Sequence, residues 1–401
     1  MESHDSINSS DVHQLAIQIF SQLPLEARGD QVQVDDILNV LVFAASLRIS
    51  INQACQDLAG APTGATVLGA LASQLPDIDA LESHLNQLLA QLLPQGLGRR
   101  GRRVAIDLVK LPYHGGVSPQ HQGEVCRSQA SQGTTHFFTY ATAYVILRGR
   151  RYTLALTRVR QGDRMDRVLQ SLLGRLEALG VKVSLLLLDR GFYSVRVLDY
   201  LILEEQPFIM PAIKRGKKGD ALGGPTGTQA IAQAKRGGWT GYTLRSPRDG
   251  AVSFELAVVC HNLQGRRDRH ERQALLYATW GVKHRPLGWI KKTYRRRFGI
   301  ESSYRQLHQA RIRTSTRNPV LRLLFVAVAL ILRNVWVWLH GEVIALPRKG
   351  ARALRPGCLR FQQVLLWLMV VVANQYCLLR DVPIPRDFRQ VCRDFGIIFN
   401  Y

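Results

Sequence analysis

Three acidic residues in a strongly basic chain have the types and settings to pair with or bind a cation. Asp107 stands in "VAIDLVKLPYHGG", an otherwise apolar strand-like run, where an unpaired carboxylate is expensive to bury unless it pairs or binds a cation. Asp189 ends the apolar run of "LLLLDRGFYS" and meets a turn; ligands collect at the carboxyl ends of strands in open α/β sheets. Glu301 is the lone acid in "YRRRFGIESSYRQLHQARIR", residues 294–313. Read as one helix with about 100° per residue, this stretch puts Arg297, Glu301 and His308 within roughly 60° of Tyr294, with Arg305 beside them. Each acid also has a plainer reading. The aspartates would cap turns, and Glu301 would pair with Arg297 or Arg305 one helical turn away.

The elements that must position these residues follow from periodicity. Segments 13–22, 33–47, 51–58, 64–73 and 79–92 have helical spacing of apolar residues, broken by Pro and Gly. Beyond the Gly-Arg linker "GLGRRGRR", strands are expected at 103–111, 135–147 and 151–159, then a helix at 164–180, a buried strand at 182–189, a helix near 194–205 and a strand at 207–213. From about 214 to 285 short strands at 241–246, 252–262 and 273–281 read as a β-rich insertion, and helical periodicity returns near Trp289. The apolar runs 323–332 and 364–373 are about half the roughly 20 residues of a bilayer span, so they are expected as buried helices, with no membrane partner. The fold class is α/β: an all-helical N-terminal domain (1–98), a catalytic domain (99–345) carrying the β-rich insertion, and a C-terminal helical region (346–401). Three antiparallel strands followed by β-α-β-α-β is the order of a ribonuclease H-like core.

The formal net charge is +23 over 401 residues, which points to a polyanion partner. Residues 1–98 contain only Arg28 and Arg48 against eleven acids, so the excess lies entirely in the rest of the chain. The N-terminal helices are either a DNA-reading unit, with a helix-turn-helix within 48–73 although the negative charge argues against strong phosphate contact there, or a packing and dimerisation domain. Loops "KRGKK" (214–218) and "RRDRHER" (266–272) suit the DNA backbone. The six cysteines form no CxxC pair, which argues against a zinc site, and the chain is read as reduced and cytoplasmic. No P-loop and no Ser/His/Asp arrangement is present.

Tyr294, Arg297 and Glu301 have the spacing of the Tyr-x2-Arg-x3-Glu-x6-Lys signature, with His308 in place of the lysine. Together with "DRGFYS" and "AIDLVKLPYHG", they make residues 103–340 resemble the bacterial and archaeal insertion-sequence transposases that carry a DDE triad. The resemblance implies a ribonuclease H-like core with Asp107, Asp189 and Glu301 as catalytic residues and ligands of two Mg²⁺ (or Mn²⁺) ions. Asp107 would bridge both ions. It implies DNA contacts from Tyr294 and Arg297, with Arg305 and His308 alongside, and an insertion aromatic, Trp239 or Trp280, that stacks on a flipped base. The partners it implies are double-stranded transposon ends and target DNA, bound by a homodimer at the prokaryotic nucleoid. The expected function is cleavage of the element's ends and joining of the freed 3′-OH to target DNA. A catalytically impaired, transposase-derived DNA-binding protein is the rival reading, suggested by His308. A basic RNA-binding protein would leave the carboxylate motifs unexplained.

Overall fold

The computed structural model describes residues 6–27, 32–117, 123–147, 150–217, 226–264, 270–345 and 357–378; at 261–264, 270–272 and 298–303 it describes the backbone alone. Five helices open the chain: α1 (Ser9–Phe20), α2 (Val34–Leu47), α3 (Ile51–Asp57), α4 (Gly64–Gln74) and α5 (Ile78–Ala90). Polar side chains begin them where the sequence changes texture. Asn8, Ser50, Thr63 and Asp77 each accept backbone N–H groups that the first helical turn leaves unpaired. Helix α2 is apolar on every side, and Ile37 to Ala45 are all buried, as a helix surrounded by others requires.

The strands are β1 (Arg102–Pro112), β2 (Cys126–Ser131), β3 (Thr134–Ile146), β4 (Arg151–Val159), β5 (Val183–Leu188), β6 (Phe208–Pro211), β7 (Gly238–Ser246), β8 (Gly250–Gln264) and β9 (His270–Trp280). They form one sheet in the order β2-β3-β1-β5-β6-β9-β8-β7, with β4 also beside β3. β3 runs antiparallel to its neighbours β1 and β4, and β5 and β6 run parallel to β1. The crossover helices α6 (Met165–Ala178) and α7 (Val195–Leu203) link β4 to β5 and β5 to β6. The expected strands are all present. The polar β2 and the short helix α8 (Gly227–Gln233) are additions, since neither has an apolar periodicity to read. The inserted strands do not stand apart: β9 pairs antiparallel with β6, aligning Met210 with Ala278, so the insertion widens the central sheet.

Side chains from two helices seal the free edge of β4. The Asn86 amide pairs with both the N–H and the C=O of Leu156, at 2.8 Å each. Asn334 does the same for Thr153, accepting from its N–H at 3.0 Å and donating to its C=O at 2.9 Å. Buried Glu82 accepts from the Arg158 N–H and the Thr157 hydroxyl, both at 2.7 Å, and from Arg175 at 2.6 Å. An edge closed in this way offers no row of open backbone groups to another strand.

Asn334 belongs to α11 (Pro319–Trp338), which follows α9 (Leu287–Arg295) and α10 (Gly299–Ala310). The helix runs on to Val343 as a wider turn. Those 25 residues are long and apolar enough to cross a membrane, which corrects the half-length expected from the ten-residue run; 89% of the apolar window is buried inside the protein. Helix α12 (Phe361–Tyr376) packs on α1 and α2, and its Tyr376 hydroxyl donates to Asp36 at 2.8 Å. The N-terminal helices, α11 and α12 thus share one apolar core, although charge and linkers divide them in the sequence.

Candidate active site

Register alone brings the two aspartates together. Ile106 of β1 pairs with Leu188 of parallel β5, so the next residue of each strand, Asp107 and Asp189, sits at the same level. Thr142 of β3 lies opposite Asp107 on its other side. Asp189 follows the last residue of β5, and its carboxylate accepts the Gly191 N–H at 3.3 Å, capping the turn Arg190–Phe192. The capping role expected of a strand-end aspartate is therefore present; it leaves the other oxygen for a second partner.

That partner is Arg297. Its guanidinium bridges the two carboxylates, with Nη1 2.7 Å from Asp107 Oδ2 and Nη2 3.2 Å from Asp189 Oδ1. Its side chain is only 9% exposed, that of Asp107 12%, and that of Asp189 35%. Asp107 Oδ1 accepts the Leu108 N–H at 2.8 Å. Burial pushes the Asp107 carboxyl up to about 6 and Asp189 adds to the rise, while Arg297 and the Leu108 N–H pull it down. Burial works to lower the Arg297 pKa, but Tyr294, Asp107 and Asp189 outweigh it and raise it above the ordinary value.

Tyr294 is 3% exposed; its hydroxyl donates to the Leu188 carbonyl at 3.2 Å, and its ring lies 5.4 Å from the Arg297 guanidinium. Both residues therefore face inward to the strand ends in this structure. The helix carrying them is not continuous. α9 ends at Arg295, a 3-10 turn spans Arg296–Phe298, and α10 begins at Gly299. The tighter turn advances about 120° per residue, so angles counted from Tyr294 do not carry across it. The single helix expected over this stretch is corrected to two, joined by the turn that points Arg297 at the carboxylates.

Tyr304 anchors α10 over the same strands: its hydroxyl lies 3.0 Å from that of Thr142, the residue opposite Asp107. Buried Arg333 ties α10 to α11 through Gln306 at 3.0 Å. Glu301 lies on α10 one turn before Tyr304; its side chain is outside the described residues. Arg305 is exposed, and His308 is half-buried. Burial lowers the His308 pKa, and Arg311 and Arg48 lower it further, so it is neutral at neutral pH.

The tryptophans fall on opposite faces of the sheet. Trp239 packs against the apolar cluster that contains Tyr277 and Tyr294, while Trp280, paired with Phe208, packs against the cluster that contains Met210. Beside Asp189 opens a cavity of about 700 Å³, with Tyr277 and Tyr294 in its wall and Arg190, Lys214, Lys291 and Arg295 around it. Residues 265–269 of the basic loop and Lys218 lie outside the described residues. Among the described residues no group of three or more acidic, His or Cys side chains is placed to hold a metal. The aspartate pair nonetheless suits a hard divalent ion, with oxygen donors only and a cation already held between them.

Two roles were not legible in the sequence. The signature spacing marked Arg297 as a DNA contact, but nothing in the sequence marked it as the bridge between the carboxylates. Nothing in the sequence marked the link of Tyr304 to Thr142.

No family model matches the chain, and no curated protein matches it. Among solved structures, the cryo-EM structure of a piggyBac transposase synaptic complex with hairpin DNA is similar at a TM-score of 0.48 and 9% identity, over 99% of this chain and 77% of that one.

Proposed function

We propose that this chain is a DDE-type DNA transposase that cleaves the ends of an insertion sequence and joins the freed 3′-OH to target DNA. The observation that carries this reading is the Asp107–Asp189 pair, set side by side on adjacent parallel strands and clamped by a buried cation. The strand order β4-β3-β1-β5-β6, antiparallel then parallel, supports a ribonuclease H-like core.

Asp107 and Asp189, joined by Glu301 from α10, would hold two Mg²⁺ or Mn²⁺ ions, which supply activation of the attacking oxygen and stabilisation of the leaving one. Arg297 keeps the carboxylate pair neutralised in the free protein. Once released from the pair, its planar guanidinium suits bidentate contact with a DNA phosphate. Tyr304 and Thr142 hold α10 at a fixed distance from β1, which sets where Glu301 stands relative to Asp107. The protein acts as a homodimer on paired ends, in the prokaryotic cytoplasm.

Asp107→Asn, Asp189→Asn and Glu301→Gln each should abolish Mg²⁺-dependent nicking of duplexes bearing the inverted repeats that flank the coding sequence, with end binding kept. Wild-type nicking by any of the three overturns the site assignment. The second reading, a DNA-binding descendant without catalysis, draws on His308, which burial keeps neutral where the signature has lysine. A wild type that binds these ends but never nicks them would favour it.

A further inference from the structure

The acidic N-terminal region has two arginines, and one of them sits where that region meets the basic segment leaving α10. Arg48 caps the C-terminus of α2 with φ 58° and ψ 41°, the left-handed region where glycine is favoured. Its neighbour Ile49 accepts a backbone hydrogen bond from the Arg313 N–H at 3.1 Å, so the two segments are tied together. Arg48 and Gln309 line the same groove.

Arg311 lies between Gln309 and Arg313 in the chain. It is half-buried, and its Nε is shut off from solvent with no hydrogen-bond partner. Among the described residues, no carboxylate is within ion-pair distance of Arg48, Arg311 or Arg313. Burial lowers the Arg311 pKa, and Arg48, Arg322 and Arg313 lower it further. The dipole at a helix C-terminus favours a cation and accounts for exposed Arg48. It does not account for a half-buried guanidinium near other arginines with no carboxylate beside it among the described residues. Such an arrangement costs stability in the free protein and becomes favourable when an anion enters.

We propose that Arg48, Arg311 and Arg313, with His308 beside them, form a binding site for the phosphate backbone of duplex DNA, to which the acidic N-terminal layer contributes Arg48. The site rests on the proposed DNA partner but lies apart from the aspartate pair. It gives the N-terminal helices a part in DNA binding despite their negative charge.

The test measures binding of a labelled random-sequence duplex by fluorescence anisotropy over a salt series, for wild type and for Arg48→Gly, Arg311→Gln and Arg313→Gln. Each substitution should weaken binding about three- to tenfold near physiological salt and lower the slope of log affinity against log salt by about one. Melting of the free proteins supplies the second readout. Arg48→Gly should melt higher than wild type, because it relieves the left-handed backbone, and Arg311→Gln should melt no lower, because it relieves repulsion. Variants that bind like wild type with the same slope overturn the proposal, as does an Arg311→Gln protein that melts lower and binds normally. A wild type that prefers structured RNA to duplex DNA overturns the choice of ligand. A wild type with no affinity for duplex DNA overturns the proposed function as well.

Discussion

At the scale of the residue, Arg297 opposes the burial that raises the Asp107 carboxyl. In water Asp107 would ionise near 3.8, and in the fold burial pushes it up to about 6. A raised acid destabilises the fold in its ionised form, so its cost is absent below the unfolded pKa and grows as pH rises through the folded one. Arg297→Gln removes the main attraction opposing that rise. Stripping one partner from a buried ion pair costs about 3–5 kcal/mol. The variant should be less stable than wild type at pH 8, and the deficit should shrink toward pH 5 as Asp107 protonates. Adding Mn²⁺ should restore the variant more than the wild type. Urea titrations at the two pH values, with and without Mn²⁺, check both statements; a deficit independent of pH would detach Arg297 from Asp107.

At the scale of the element, the closed edge of β4 makes a separate prediction. Asn334→Leu would leave the buried N–H and C=O of Thr153 without partners, at about 1–3 kcal/mol for each group. A urea midpoint unchanged from wild type would show that the helix itself, rather than the amide, seals the strand. Much of this level was legible beforehand. Apolar alternation marked β1, β3 and β4, and the buried run before Asp189 marked β5, because burial on one or both sheet faces is written in side-chain type. β2 was not legible, since "CRSQAS" holds its place by backbone pairing to β3 and is mostly exposed. The 3-10 turn at Arg296–Phe298 was hidden for another reason. Its three residues are compatible with an α-helix, and the inward path of Arg297 depends on two carboxylates far away in the chain. The motif spacing picked out the two aspartates and Arg297; only the fold shows that they touch.

At the scale of the whole molecule, charge and packing divide the chain differently. Residues 1–98 carry a net acidic excess and form their own helices, yet α12 packs on α1 and α2, and α5 packs on α11 and β4. A fragment of residues 1–98 should therefore lack cooperative unfolding by circular dichroism, having lost the helices that complete its core; a sharp, two-state melt would show an independent domain. The single sheet has a mechanical consequence as well. The aspartates and the inserted strands β7, β8 and β9 are joined by unbroken backbone hydrogen bonds, so they are stations on one stiff plate with no hinge between them. On the proposed function, a nucleic acid that spans the plate would meet a fixed gauge, and the bending needed to bring a scissile bond to Asp107 would fall on the substrate.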